Sequence, residues 1–281
     1  MIRSRLACLL LGLAAATGVA ASEPAAADQE VVVDVPAGPL HGSLRVPAAA
    51  VPGPAVLLIA GSGPTDRDGN SSIPGFRPDT LRQIAQGLAQ HGIASLRYDK
   101  RGLAASHAAM TDESAMRFDM LVDDAVAWAR RLAEQPGVGC VVLAGHSEGA
   151  LIASMAAARV PACGVVEIAA AGRPAKIVLA EQLQRGVPAA QLPQVLRTLD
   201  SIAAGGLVAD PPIPLVFRPS VQPYLASYLS IDPAAELAKL RIPVLIIQAS
   251  ATFRPRSTTP GRWSRHVRGL VCCCCRRPIT C

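Results

Sequence analysis

A serine lies at the centre of the pentapeptide Gly145-His146-Ser147-Glu148-Gly149, which fits the pattern G-x-S-x-G. The apolar run CVVLAG before it has strand character, and the segment ALIASMAAA after it is apolar on every face, as a buried helix would be. A tight turn between a strand and a helix exposes a serine hydroxyl at the end of a sheet, and glycines flank it because side chains there would strike the neighbouring backbone. The pattern predicts a nucleophile at Ser147 and a turn shaped by Gly145 and Gly149.

A nucleophilic serine also needs backbone N–H groups that stabilise the negatively charged oxygen of a tetrahedral intermediate. One predicted donor is the main-chain N–H of Glu148, at the start of the predicted helix. The second should come from the loop 61–66, which follows the apolar strand pattern 55–60 and reads GSGPTD. Glycines in this loop let the backbone approach a substrate closely, so we name Ser62 first and Gly63 second.

Metal and nucleotide sites are not predicted. Asp66, Asp68 and Asn70 alternate as calcium ligands do, but Ser71 and Arg77 replace the glycine and the final glutamate that a calcium loop requires. The four consecutive cysteines near the C-terminus lack the two-residue spacer that lets paired sulfurs face one zinc ion. The chain has no dinucleotide-binding or P-loop glycine pattern.

The elements that must position these residues follow an alternating order. Two β-rich segments, EVVVDVP and GPLHGSLRVP, are joined by turn residues and predict an antiparallel hairpin. Strand patterns then cover 55–60, 92–99, 140–145 and 243–248, and helical patterns begin behind Asp79, as a helix cap, and at Phe118. Strands that alternate with helices predict an α/β fold with a mostly parallel sheet flanked by helices.

Between 172 and 241 the strand patterns stop, and helical patterns at 175–186 and 190–204 precede a proline-rich break. An insertion of this length before the last strand pattern predicts a helical cap over the carboxyl ends of the strands, where open α/β sheets bind ligands. We therefore predict one domain over residues 22–250, with a leader over 1–21 and an irregular tail over 251–281.

The leader has two arginines, an apolar run and small residues at Val19 and Ala21, which predicts a signal peptide cleaved before Ser22 and export to the periplasm or the medium. No later apolar run is long enough to span a bilayer. Export permits disulfides. Cys140 and Cys163 each stand at the N-terminal side of a strand pattern, so neighbouring parallel strands would bring them into bonding range if the register agrees. We hypothesise that they form a disulfide; the alternative is two small buried hydrophobic side chains.

The formal charge of +6 comes from the tail, because residues 251–281 contain seven arginines and no aspartate, glutamate or lysine. The rest of the chain has 20 basic and 21 acidic residues. A mildly acidic body argues against a basic groove, so no nucleic-acid partner is expected.

With these segments the chain resembles the α/β-hydrolase superfamily, and more narrowly the bacterial serine esterases and serine-aminopeptidase-like hydrolases of the S33 type. The segments that carry the resemblance are GSGPTDRDGN (61–70), RYDKRG (97–102), GHSEGA (145–150), FRPSVQPYL (217–225) and IPVLIIQ (242–248). The resemblance implies an eight-stranded, mostly parallel sheet, a Ser-His-Asp triad, no cofactor, and hydrolysis of a carboxylic ester or related acyl substrate. In RYDKRG we interpret Asp99 and Arg101 as a structural ion pair or loop clamp.

The chain departs from this family where the triad acid and histidine should follow Ser147. The family's acid lies in a stretch like Q-G-T-x-D, and the matching residues 248–252 place Thr252 at its position, so no acid is identified. Three of the five histidines precede the predicted nucleophile turn in the chain: His41, His91 and His107. A fourth, His146, lies inside this turn. His266 alone follows, and it is the predicted general base.

Two functions remain open. The first is an exported serine hydrolase that cleaves a small ester or acyl substrate, or a peptide, through an acyl-enzyme on Ser147. The alternative is a truncated or catalytically dead hydrolase-fold protein with a binding role or no activity, because a serine without a base is a poor nucleophile. The tail contains seven arginines and five cysteines, as out-of-frame translation of a GC-rich gene would produce. We hypothesise a frameshift near residue 250 that leaves the strand at 243–248 as an uncovered sheet edge.

Overall fold

The computed structural model describes residues 27–47, 52–72, 75, 77–249 and 270–275. Within these residues eight strands form a single sheet in the order β1-β2-β4-β3-β5-β6-β7-β8. The strands are β1 Asp28–Val35, β2 Gly38–Arg45, β3 Gly53–Ile59, β4 Ser95–Tyr98, β5 Val138–His146, β6 Ala162–Ile168, β7 Val244–Ala249 and β8 Leu270–Cys275. Pairing is parallel from β4 to β7 and antiparallel at both ends. The predicted hairpin and mostly parallel sheet are confirmed.

Helices follow the strands, as the alternating pattern predicts, and the first three of them pack against the sheet. They are α1 Thr80–Gln90, α2 Phe118–Ala133, α3 Glu148–Ala157, α4 Ala175–Gly186, α5 Leu192–Ala203, α6 Pro214–Phe217, α7 Gln222–Tyr228 and α8 Pro233–Ala238. The predicted apolar face of α2 is buried, and nearly every residue of α3 is buried between the sheet and its neighbours. A helix apolar on every face is stable only in such a position.

Asp79 precedes α1 but does not cap it through its side chain, so that detail of the prediction is wrong. Its Oδ1 accepts a hydrogen bond from Asn70 Nδ2 at 2.8 Å, and its own N–H donates to Asn70 Oδ1 at 2.8 Å. These two hydrogen bonds tie the Asp79 carboxylate and main chain to the loop that contains Asn70. The competing partner lies nine residues away in the chain, beyond the reach of a local capping rule.

The insertion between β6 and β7 contains helices α4 to α8 and no described strand, which confirms the predicted helical cap. The cap has a small apolar core of its own, built around Val195, Leu199, Ile202, Phe217, Leu225 and Leu229. It is anchored to α2 by aromatic stacking, with the Phe118 and Tyr228 ring centroids 5.0 Å apart.

A disulfide joins Cys140 of β5 to Cys163 of β6, with Cα atoms 5.9 Å apart. The two strands are parallel neighbours, and the register shifts beside Val141, which pairs with Ala162. The hypothesised disulfide is confirmed. It lies at the amino ends of the two strands.

The tail contains a strand, so the prediction of an irregular tail is wrong for residues 270–275. The prediction that the strand at 243–248 is an uncovered sheet edge is also wrong. β8 pairs antiparallel with β7 from Val244↔Cys275 to Ala249↔Leu270. The segment LVCCCC is an apolar run of strand length, and main-chain pairing to a sheet edge does not depend on its unusual composition. The predicted leader, Thr252 and His266 lie outside the described residues. Across the described residues, no helix has the length and apolar character needed to cross a membrane.

Candidate active site

Ser147 occupies the turn between the end of β5 and the start of α3. Its backbone has φ +55° and ψ −116°, a strained conformation for a residue with a side chain. Two main-chain hydrogen bonds hold it: Ser147 N–H donates to the oxygen of Ile168 at 2.9 Å, and Ala150 N–H donates to the oxygen of Ser147 at 3.0 Å. The first bond ties the turn to the end of β6, so the rigid sheet maintains the strain.

The flanking glycines are required by lack of space, as the sequence predicts. A Cβ on Gly145 would overlap the carbonyl oxygen of Gly149. A Cβ on Gly149 would lie 2.5 Å from the oxygen of Ile59 and 2.6 Å from that of Ala60, at the end of β3. The first turn of α3 therefore packs directly on the backbone of two strands.

The loop after β3 passes beside Ser147. A Cβ on Gly61 would lie 2.9 Å from His146 Nδ1 and 3.5 Å from the Cβ of Ser147. Gly63 has φ +74° with open space around it, so it is needed for its conformation rather than its size. Ser62 and Gly63 line the same cavity as Ser147 and Glu148. The structure thus brings together all the residues that the sequence predicts for the nucleophile and the oxyanion donors.

This cavity has a volume of about 660 Å³ and lies between the sheet edge and the cap. Much of its wall is apolar, from Leu103, Met110, Leu121, Leu151, Leu179 and Leu225. Three arginines also line it, and each forms an ion pair: Arg101 with Asp124, Arg173 with Glu181, and Arg218 with Glu113. The positive charges of these three arginines are therefore balanced by carboxylates of the protein.

A buried ion pair lies beside the loop 61–66, and the sequence analysis did not foresee it. Lys100 is 5% exposed and its Nζ lies 3.5 Å from Glu148 Oε1. The same Nζ donates to the oxygen of Gly61 at 2.6 Å and to that of Gly63 at 3.1 Å. A buried ammonium requires such partners because its charge is costly to remove from water. The available signal was a lysine in the charged turn RYDKRG and a glutamate in the glycine-flanked turn GHSEGA.

The cap reaches this ion pair through a tyrosine. Tyr224 of α7 donates its hydroxyl hydrogen to Glu148 Oε2 at 2.7 Å. Burial, together with the charge of Glu148, raises the pKa of Tyr224 well above its ordinary value, so the hydroxyl stays protonated. Tyr224 also stacks on Tyr228, with ring centroids 5.7 Å apart. The contact between the cap and Glu148, the residue after Ser147, is a tertiary feature without a sequence signal.

Asp99 and Arg101 act as structural clamps, as interpreted from the sequence. Asp99 accepts hydrogen bonds from the main chain and the guanidinium of Arg67 at 2.8 and 3.0 Å, and Arg101 pairs with the buried carboxylate of Asp124. Burial raises the pKa of Asp124, and Arg101 opposes that rise. Asp68 of the rejected calcium pattern pairs with Arg97. Among the described residues, no cluster of metal-ligating side chains is present.

None of the four histidines in the described part of the chain lines the cavity. His41 lies near Glu30, and the rings of His91 and His107 each contact a nearby backbone oxygen. His146 is half-buried, and burial lowers its pKa. The predicted base, His266, lies outside the described residues.

Glu167 of β6 is a buried carboxylate on the cavity wall that the sequence analysis missed. Its Oε1 accepts a hydrogen bond from the Ser154 hydroxyl at 2.8 Å. Burial raises its pKa, and the bond from Ser154 opposes that rise. An acidic residue inside the apolar run GVVEIAA was the available signal.

Comparison with known proteins gives a consistent result. The sequence profile of the family described as serine aminopeptidase, S33, matches residues 79–252, which is more than half of the chain. Esterase EstD of Thermotoga maritima is 29% identical over 238 residues, which make up 84% of this chain and 55% of the esterase. The chain therefore spans about half the length of that curated relative.

Two solved esterases share the fold. The Pyrococcus furiosus esterase PF2001 superposes with a TM-score of 0.51 at 13% identity, over 79% of this chain and 70% of that one. Est1E of Butyrivibrio proteoclasticus, solved with ferulic acid bound, superposes with a TM-score of 0.50 at 18% identity, over 77% of each chain. At these identities the likeness shows the fold alone, which is that of the α/β hydrolases.

Proposed function

This chain belongs to the serine aminopeptidase S33 family of serine hydrolases, and from that premise we propose that it is an exported hydrolase that cleaves an ester or related acyl substrate through Ser147. The observation that carries the proposal is the strained turn of Ser147, which opens onto the same cavity as Ser62, Gly63 and Glu148. The esterase EstD, a relative, supports an ester as the substrate.

In the proposed reaction Ser147 Oγ attacks the carbonyl carbon of the ester and its proton passes to a base. The carbonyl oxygen becomes negatively charged and is stabilised by the main-chain N–H groups of Glu148 and of Ser62, with Gly63 as the second choice. Collapse of this intermediate releases the alcohol, which takes a proton, and leaves an acyl-enzyme. Water then attacks the ester bond to Ser147 and releases the acid. The N–H of Glu148 opens a helix, where N–H groups lack intrahelical partners.

The base that we propose is His266. β7 and β8 meet at the pair Ala249↔Leu270, at the carboxyl end of β7. Ser147 follows the carboxyl end of β5, which is parallel to β6 and β7. His266 stands four residues before Leu270 in the sequence. The alternative, a hydrolase-fold protein that binds its ligand without turnover, is favoured by the lack of any described histidine on the cavity wall.

Hydrolysis of a short-chain p-nitrophenyl ester tests the proposal. We expect Ser147→Ala to lower the rate about a thousandfold or more, the scale of loss when a triad member is removed. Ser230→Ala is the matched control because Ser230 is exposed and does not line the cavity. A fluorophosphonate should label Ser147, which peptide mass mapping locates. Equal rates for the wild type and Ser147→Ala, with no label, would favour the non-catalytic alternative.

The proposed export rests on the leader over residues 1–21 and is supported by the Cys140–Cys163 disulfide, which an oxidising compartment maintains. N-terminal sequencing of the protein from the periplasm of a Gram-negative host should begin at Ser22. Retention of the leader in the cytoplasm would refute this part of the proposal.

A further inference from the structure

Lys100 has three ammonium N–H groups, and three oxygens surround them. Two are the main-chain oxygens of Gly61 and Gly63, at 2.6 and 3.1 Å, and the third is Glu148 Oε1, at 3.5 Å. Among the described residues, Glu148 Oε1 makes no hydrogen bond, so Lys100 is the charge that balances it. An ammonium group only donates hydrogen bonds, so each of its partners here is an oxygen acceptor.

The bond to Gly61 determines how Ser62 is oriented. The oxygen of Gly61 and the N–H of Ser62 belong to one peptide unit, and in a trans unit these two groups point in opposite directions. The described chain contains no cis peptide bond. By binding the Gly61 oxygen, Lys100 therefore sets the direction of the Ser62 N–H. The N–H of Gly63 is set differently, because the oxygen of its peptide unit, on Ser62, accepts from Thr65 Oγ1 at 3.1 Å.

Glu148 connects the same ammonium to the other side of the nucleophile. Its carboxylate is bound by Lys100 on one oxygen and by the Tyr224 hydroxyl on the other. Its main-chain N–H is the other proposed oxyanion donor, beside that of Ser62. The two loops that supply the proposed donors, one after β3 and one after β5, are thus held together by a single buried ion pair.

We propose that Lys100 is a positioning residue, which aligns the oxyanion loop with the turn of Ser147 and with the cap. The proposal rests on the oxyanion hole of the proposed function. A lysine that only neutralised Glu148 would need one bond to a carboxylate, whereas Lys100 forms its two shortest contacts with main-chain oxygens of the loop. The geometry therefore assigns the loop as its main target.

Steady-state kinetics of ester hydrolysis provide the first test. We expect Lys100→Met to lower kcat about tenfold to a hundredfold, less than the complete loss of an oxyanion donor, and to leave KM within about threefold. Because this variant leaves Glu148 buried and unpaired, Lys100→Met/Glu148→Gln is tested beside it and should show the same fall in kcat. Lys239→Met is the control, since Lys239 forms an exposed pair with Glu236.

Hydrogen exchange provides a second test that does not depend on activity. Thr65 N–H donates to the Gly63 oxygen that Lys100 binds, and Ser72 N–H donates to the oxygen of Pro64. We expect exchange at both amides to accelerate at least about tenfold in the double variant, as the loss of a hydrogen bond from a charged donor implies. Lys239→Met should leave exchange at both amides unchanged.

The two tests separate the two proposals. Unchanged exchange in both Lys100 variants would overturn the positioning role, whether or not the protein is active. Faster exchange with an unchanged kcat in an active enzyme would also overturn it. If Ser147→Ala is as active as the wild type, the proposed function fails, while faster exchange would still establish that Lys100 holds the loop.

Discussion

Removal of the Cys140–Cys163 disulfide should destabilise the domain without changing the site. The bond closes a loop with a sequence separation of 23 residues. In the chain-entropy model, a loop of that length corresponds to about 3.4 kcal/mol at 25 °C, because the cross-link restricts the unfolded chain. For a domain of this size, that loss lowers Tm by about 7–14 °C. The cysteines lie at the amino ends of β5 and β6, whereas Ser147 follows the carboxyl end of β5.

Urea denaturation of the Cys140→Ala/Cys163→Ala variant measures this loss. We expect a lower midpoint, an unfolding free energy reduced by about 3 kcal/mol, and a rate of ester hydrolysis at 25 °C close to that of the wild type. Repeating both titrations in reductant is the control, because there the wild type also lacks the bond and the difference should disappear. A difference below about 1 kcal/mol under oxidising conditions, with the bond verified by mass mapping, would refute the entropic reasoning.

Two further predictions concern the nucleophile turn and acid stability. Gly145→Ala should lower the free energy of unfolding by at least about 4 kcal/mol or prevent folding, because the added methyl overlaps the oxygen of Gly149. Gly87→Ala is the control, because Gly87 lies in helix α1 with open space around it. This variant should raise the free energy of unfolding by about 0.5–1 kcal/mol in the same urea assay. Burial alone would raise the pKa of Asp28, but the hydrogen bonds and charges of Arg97 and Arg45 hold this pKa well below its usual range. This stabilisation is present above pH 3.8 and is lost as the pH falls towards the folded-state pKa, so Asp28→Asn should lower the unfolding free energy at pH 7 and flatten its fall below pH 3.8. If the unfolding free energy of Asp28→Asn falls below pH 3.8 as steeply as that of the wild type, the assignment to Asp28 is contradicted.

Much of the site is local in sequence and could be predicted from it. Ser147 and its two glycines lie within five residues, and their chemistry follows from that spacing. The loop that contains Ser62 and Gly63 was found by its position after an apolar strand. Alternating strand and helix patterns predicted the sheet, and neighbouring strands predicted the disulfide, because those periodicities report directly on what each segment buries.

The remaining features depend on contacts between segments far apart in the chain. Lys100 meets the oxygen of Gly61 because β4 lies beside β3 in the sheet, and Tyr224 meets Glu148 because the cap folds over the start of α3. The charged residues themselves were visible in the sequence, but their partners were not, since electrostatic pairing leaves no periodic pattern.

The edge of the sheet likewise has a feature that the sequence did not predict and the tertiary structure supplies. The composition of the tail predicted no element, yet β8 pairs with β7 through the main chain, whose hydrogen-bonding groups are present in almost any sequence. Asp79 has the residue type of a helix cap, but Asn70 binds its carboxylate instead. The sequence by itself determined the fold class and the position of the Ser147 turn, because both depend on local spacing and burial periodicity. Only the tertiary structure decided which buried charges hold the site together, because those partners are selected by proximity in space.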